Sequence, residues 1–523
     1  MTNAGLGCAA LLFSWEANAY AGGIFVPGAG PAAQGRAGAF VARADDPSAI
    51  SYNPAGFAKL DGTQIYVGAN FLRYVMSYQR TGVYEPTAGS DAPLPHEGQP
   101  FPKVSNNGDS AIGPFGAQII PVFAISTDLG HPEWPVRFGF GLFSPQGFPD
   151  RDFGSTVTLD SGITAPAPQR YDVVNQKIIV SSPSLIVGYS PFDSLDVGIR
   201  ASWGYAKLNG AKTIWGERNY EEDPGDDATF TLTDAVDKFV PSMGLGLLYR
   251  PSPSWEIGAV WNSKGEIRAQ GTGNSVVGGG STLGDIMIVP RPDDQVECDT
   301  GGVVGKLQAC LSLDMAQNAT IGGRWIYRDG AGRERADIEL DVNWEDWSAS
   351  TTSRVQVDGM VDANNMRLRN LANHHGFKGV ISTRLGGGYR MDMGDGEIEF
   401  KGGVAYDTKT APDTWTRVDQ DNKQRLTLTT GLSYSFGRYR FDIGVGIVLE
   451  PDITVADDCP GPDGFGPTVS EQGCNGDTPV DERNRPSPGQ PLFGEKSQFE
   501  TPFNAGLYES GYLMFATGLK IAL

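Results

Sequence analysis

The stretch ADIELDVNWE, residues 336–345, decides the fold. Its apolar side chains Ala336, Ile338, Leu340, Val342 and Trp344 alternate without a break with Asp337, Glu339, Asp341, Asn343 and Glu345. Successive side chains leave a strand on opposite faces, whereas a helix would spread both sets around its circumference. The segment is therefore a strand with one apolar and one acidic face, and the acidic face needs water or cations. On the preceding segment Ala319, Ile321, Trp325 and Tyr327 share a parity, which leaves Arg324 and Arg328 on the other. A tight hairpin places these arginines beside the carboxylates inside a polar interior. The alternative reading of the same row is the solvated face of a soluble sheet.

The pattern repeats. In residues 397–406 Ile398, Phe400, Gly402, Val404 and Tyr406 oppose Glu397, Glu399 and Lys401. In residues 425–436 Leu426, Leu428, Leu432, Tyr434 and Phe436 alternate with Thr and Ser, and in residues 439–450 Tyr439, Phe441, Ile443, Val445, Ile447 and Leu449 oppose Arg440, Asp442 and Glu450. Similar signals place strands at 64–78, 116–128, 134–144, 172–190, 194–210, 236–251, 254–269, 316–329, 335–357, 378–392, 396–408, 424–437, 439–452 and 507–523, fourteen in all. The connections alternate in length. Short ones such as SPFDS, PSPS, DGAGRER, DMGDGE and GRYR follow long ones at 79–115, 145–171, 270–315 and 453–506. A β-sandwich has no reason to gather every long loop at one end, whereas outer-membrane barrels combine short periplasmic turns with long external loops. The fold class expected is all-β, a 14-stranded antiparallel transmembrane β-barrel.

Composition agrees. Among 523 residues, 70 Gly and 35 Pro accompany 10% aromatics, which supply the surface to bury that a disordered Gly/Pro chain lacks. A net charge of −21 argues against nucleic acid as a partner, because phosphate binding needs a basic face. Residues 6–15, LGCAALLFSW, form an apolar core of signal-peptide length, followed by EANAYAGG with two A-x-A frames. This predicts a signal peptide over 1–21, although a basic stretch before the core is missing; a buried N-terminal helix is the competing reading. Cys8 is no lipoprotein cysteine, since Gly5 stands where Leu is needed. The other four cysteines lie in Gly/Asp/Pro-rich loops as two local pairs, Cys298 with Cys310 and Cys459 with Cys474, which predicts disulfides in an oxidising compartment. Zinc is the rival reading, but no C-x-x-C occurs and His96, His131, His374 and His375 are distant in sequence. No metal and no cofactor is expected.

Residues 22–61, ahead of the first strand, have no place to pack outside a barrel. GAGPAAQGRAGAF, residues 28–40, is almost wholly small side chains suited to close packing against a wall, and Asn53-Pro54 fixes a turn. These residues are read as a lumen plug, with Asn53, Pro54, Ala55 and Gly56 as its gating element; a flexible periplasmic tail is the alternative. The barrel then occupies 62–523.

GAGPAAQGRAGAFVARADDPSAISYNPAGFAKLDG, residues 28–62, resembles the N-terminal hatch of the FadL-type outer-membrane transporters of long-chain fatty acids and other hydrophobic compounds. The Asn-Pro-Ala signature of that family is similar to Asn53, Pro54 and Ala55, and DVNWEDWS, GVAYD and DNKQRLTLTTGLSY follow in family order. The resemblance implies a barrel plugged by the hatch, an internal pocket, and a kinked third strand that opens the wall sideways. Gly139, Gly141 and Pro145 are the kink candidates in this sequence. It also implies passive transport of a hydrophobic ligand such as a fatty acid through the cell outer membrane. The partners are then that ligand, outer-membrane lipid with lipopolysaccharide, and the barrel assembly machinery, with the chain a monomer. Arg324 and Arg328 are candidates for the ligand carboxylate by parity, or else they pair with the acidic stripe. The C-terminus departs from the terminal aromatic usual in such barrels, ending Leu519, Ile521 and Leu523.

The alternatives are a channel for aromatic hydrocarbons, a general porin for polar solutes, and a lipid hydrolase. The porin is disfavoured by a plug in the channel. The enzyme is disfavoured because no nucleophile motif accompanies His374 and His375, so no catalytic residue is assigned.

Overall fold

A computed structural model describes residues 30–84, 93–106, 116–144, 148–214, 228–277, 288–289, 307–350, 352–358, 360–361, 366–367, 371–420, 422–455 and 505–523. The alternating segments form fourteen antiparallel barrel strands. The first five are β1 (Gln64–Arg80), β2 (Gln118–Thr127), β3 (Val136–Phe143), β4 (Asn175–Phe192) and β5 (Leu195–Ile214). Next come β6 (Ala228–Ser252), β7 (Trp255–Asn262 continued by Gly265–Val277), β8 (Leu307–Met315 continued by Asn318–Arg328) and β9 (Glu334–Glu345 continued by Thr352–Asp358). The last five are β10 (Leu371–His374 continued by Val380–Met393), β11 (Gly396–Asp407), β12 (Arg425–Phe436), β13 (Tyr439–Leu449) and β14 (Gly506–Ala522). β1 pairs with β14 from Gln64↔Ala522 to Arg80↔Gly506, which closes the sheet and removes its edges. Among the described residues no helix is long and apolar enough to cross a membrane.

Strand parity sets inside from outside. On β9 Ile338, Leu340, Val342 and Trp344 are 39–49% exposed, while Asp337, Glu339, Asp341, Asn343 and Glu345 are buried. On β13 Phe441, Ile443, Val445, Ile447 and Leu449 face out, with Arg440 and Asp442 inward. An apolar belt of this extent on the outside of a closed barrel is the surface a bilayer covers. The soluble-sheet alternative for the acidic row of β9 fails on this geometry.

The connections sort by end. Residues 128–135, 193–194, 253–254, 329–333, 394–395 and 437–438 make the short turns beside Gln64 and Ala522. Gly394 and Gly437 open two-residue turns with φ of 60° and 53°, a conformation without steric cost only for glycine. The long connections lie at the opposite, external end. The expected loop over 270–315 is shorter than its sequence suggested, because β7 and β8 continue outward and pair from Gly265↔Met315 to Gly273↔Leu307. Alternation persists there, but with the apolar row Ile267, Ala269, Ala309 and Leu313 turned into the barrel and the polar row Glu266, Arg268, Ser312 and Asp314 turned out.

Candidate functional site

Residues 30–60 are enclosed by the wall and almost entirely buried. They form one helical turn (Pro31–Gln34) and two 3₁₀ turns (Pro47–Ser51 and Pro54–Lys59), each begun by a proline, whose fixed φ and missing N–H suit a helix start. Asn53 caps the last turn with both ends of its amide. Its Oδ1 accepts from Ala55 N at 3.1 Å, and its Nδ2 donates to the carbonyls of Val41 at 2.8 Å and Leu247 at 3.1 Å. The Asn53-Pro54-Ala55-Gly56 turn is thereby tied to β6.

The acidic row of β9 receives this segment. Arg36 donates to Asp337 at 3.0 Å and Arg43 to Glu399 at 3.1 Å. Glu339 accepts from Ala42 N at 2.7 Å, and Asp341 accepts from the backbone of Phe40 and Val41 at 3.0 and 3.2 Å. Lys59 meets Glu256 at 2.8 Å and Arg440 meets Asp46 at 2.7 Å. Removing one partner of such a buried set leaves a bare charge, a loss of about 3–5 kcal/mol.

Arg324 belongs to the same network. It donates to Asp337 at 2.9 Å, to Glu256 at 2.8 Å and to Glu334, so of its two readings the pairing with the acidic row is the one seen here. Arg328 donates to the carbonyls of Pro253 and Gly332 at the short-turn end.

A belt of inward glycines fits the wall to the segment. A Cβ on Gly198 would overlap Pro54 and Ala55; on Gly246, Asn53; on Gly258, Val41; and on Gly386 or Gly403, Arg36. Several are direct cross-strand partners: Gly188↔Gly198, Gly198↔Gly246 and Gly386↔Gly403. The sequence reading missed this belt, and the available signal was single glycines recurring at the inward parity of successive strands. Gly139 and Gly141 belong here too. Both are paired on each side, and the space at their missing side chains holds Phe57 and Ile50.

The external half of the interior differs in chemistry. Ile178, Val180, Leu208, Phe230, Leu232, Ile267, Leu313, Trp347 and Phe377 pack inward there as one apolar cluster. Beside it lies a cavity of about 120 Å³, lined by Val173, Ile178, Leu208, Phe230, Leu232, Leu311, Leu313 and Val355, with Asp172, Lys212, Asp419 and Gln420 at its polar edge. That edge is ordered by loop ion pairs. Arg417 holds Asp172 at 2.9 Å, and His375, stacked on Phe377, holds Asp419 through Nε2 at 3.0 Å. Burial pushes the Asp419 carboxyl up, but His375 and Arg417 outweigh it and hold the group well below the usual carboxylate range. His375 is thus a loop anchor; His374 ends its short strand.

Next to this cavity the described ladder of the wall is interrupted. β3 has eight residues between strands of ten and eighteen. Its ladder with β2 begins at Phe123↔Leu142, and its ladder with β4 stops at Phe143↔Ser182. Residues 118–122 of β2 and 177–181 of β4 have no β3 partner among the described residues. Gly139 and Gly141 lie within the paired part of β3, Phe143 is its last paired residue, and Pro145 lies outside the described residues. A second cavity of about 130 Å³ fills it, lined by outward Ile119 and Ile179 and by inward Ile120, Ile178 and Val180. Ile178 borders both cavities, so the interior and the break are one side chain apart.

Arg200 stands below. It donates to the Ile50 carbonyl and to Asn262 Oδ1 at 2.7 Å, its plane over Phe143, and no carboxylate among the described residues pairs with it. Its Nε is buried without an acceptor. Among the described residues no group of three His, Cys, Asp or Glu side chains is placed to hold a metal ion. Cys310 is buried on β8, while Cys298, Cys459, Cys474 and the expected signal peptide lie outside the described residues.

Comparison with known proteins agrees with this architecture. A Pseudomonas aeruginosa FadL homologue is similar over 96% of this chain and 100% of its own, at 16% identity and a TM-score of 0.66. The toluene transporters TbuX of Ralstonia pickettii (15% identity, 94% and 98% covered, TM-score 0.59) and TodX of Pseudomonas putida (13%, 95% and 99%, 0.58) share the fold. No curated protein sequence matches. The family model described as outer membrane protein transport protein (OMPP1/FadL/TodX) matches residues 11–461. The closed fourteen-stranded barrel and that match place the chain in the FadL/TodX family of outer-membrane transporters of hydrophobic compounds.

Proposed function

We propose that the chain carries long-chain fatty acids passively across the outer membrane. The ligand enters the apolar cavity from the external side, passes Ile178, and leaves sideways through the break after Phe143, while residues 22–61 act as a hatch that closes the lumen. The observation that carries this reading is the inward-facing apolar cluster with its cavity, since a pore for sugars or ions would line that space with polar groups. Arg200 supports the choice of a carboxylate ligand. Its buried guanidinium has no anion among the described residues and holds the Ile50 carbonyl of the hatch, so an arriving carboxylate competes with the hatch for the same donor. That difference in binding is what shifts a two-state equilibrium.

A second reading is transport of aromatic hydrocarbons. It draws on the size of each cavity, about 120 and 130 Å³, which suits a single ring, while an extended acyl chain would span both. The two are separated by extracting the protein from its own membrane and identifying the bound molecule by mass spectrometry. A fatty acid supports the first reading; an aromatic hydrocarbon replaces it with the second.

A further inference from the structure

We infer that the cavity in the wall break is a recognition site for the hydroxyl group of a neutral hydrophobic molecule, an alcohol or a phenol, with Asp150 and Gln118 as its acceptors. The inference rests on reading the break as part of the ligand route, and it adds a head-group chemistry to that route.

Both acceptors border the cavity. Asp150 is 6% exposed, and among the described residues neither of its carboxylate oxygens has a hydrogen-bond donor; Gln118 Oε1 is likewise buried without one. Buried polar atoms of a native protein are satisfied with few exceptions, so several bare acceptor atoms on one small space mark a place for a donor from outside the chain. The rest of the lining is apolar, including Ile119, Leu142, Phe143 and Ile178, which suits a hydrocarbon body.

The position of Asp150 is fixed by groups that leave its carboxylate bare. Asn106 Nδ2 donates to its backbone carbonyl at 3.0 Å. The neighbouring Arg151 donates to the carbonyls of Val418 at 2.9 Å and Pro149 at 3.3 Å. Burial raises the Asp150 carboxyl to about 6 against the pull of Lys177 and Arg151, so at neutral pH it is an anionic acceptor. Lys177 Nζ, 3.8 Å away, already balances that charge. A ligand ammonium would meet this lysine and a ligand carboxylate would meet Asp150, whereas a hydroxyl donates to the carboxylate without adding charge. These charges favour a neutral donor.

The test uses the full chain in lipid nanodiscs, with p-cresol and toluene as a pair that differs by one hydroxyl. Dissociation constants are measured by ligand-detected NMR at pH 7.5. Wild type should bind p-cresol about tenfold more tightly than toluene, as one charge-assisted hydrogen bond supplies. Asp150→Leu and Gln118→Leu should lower that ratio towards one with toluene affinity kept, while Asp150→Asn, which retains an acceptor oxygen, should keep most of it. Heat-modifiable gel mobility shows that each variant is a folded barrel. Toluene binding with a ratio unchanged in Asp150→Leu overturns the inference and leaves the hydrophobic route standing. Failure of both probes to bind wild type overturns the inference and the route through the break together.

Discussion

At the scale of single residues, Asn53 is the position where sequence and structure meet most directly. An Asn before Pro was legible as a turn, and its amide serves both that turn and the Leu247 carbonyl of the wall. Asn53→Ala removes three hydrogen bonds, two of them buried, and should loosen the seated segment by about 1–3 kcal/mol, with barrel heat-modifiability unaltered and uptake changed. Unchanged uptake in a folded barrel would count against a gating role. Arg36 and Arg43 were not legible as partners of Asp337 and Glu399. The separations of 301 and 356 residues carry no periodic signal, and only barrel closure brings these side chains together. Arg200 escaped for a related reason: the lack of a counter-ion among the described residues is a property of space, not of sequence.

At the scale of elements, all fourteen strands were legible because each keeps an outward apolar row against lipid, and period two survives wherever one face is apolar. Legibility failed in the outer extensions of β7 and β8, where the apolar row, Ile267 and Leu313 among it, faces the interior and no apolar row faces lipid. It also failed for the glycine belt, whose members read as weak points in single strands and acquire meaning only across neighbours. Gly198→Leu should therefore unseat the Asn53-Pro54-Ala55 turn without opening the ladder. Single-channel recordings should show a higher and noisier conductance than wild type, and an unaltered closed state would contradict the belt as a seat. The cysteines hold a separate expectation, that Cys298 pairs with Cys310, which the structure places on β8 rather than in a loop, and Cys459 with Cys474. Each bridge closes a short loop, for which chain entropy suggests about 3 kcal/mol per 15-residue loop. Non-reducing peptide mapping should recover those two pairs; crossed pairs or free thiols would refute them, and the barrel should assemble without either bridge.

At the scale of the whole molecule, the interior is divided by chemistry. The half near the short turns is filled by residues 30–60 and a buried ion network, and the external half is apolar with a cavity reaching the wall break. The barrel strands pair with one another and not with residues 30–60, so deleting residues 22–57 should leave a folded barrel of raised ion conductance, water taking the vacated space. A folded deletion with wild-type conductance would show that the segment does not close the lumen. The central claim, passive passage of a hydrophobic ligand, is tested most directly by uptake of radiolabelled oleate into Gram-negative cells that lack their own fatty-acid channel and keep intact lipopolysaccharide. Cells making this chain should take up oleate several-fold faster than control cells, with sucrose permeability unchanged. Oleate uptake at the control rate, together with raised sucrose permeability, would contradict the account and make the barrel a pore for polar solutes.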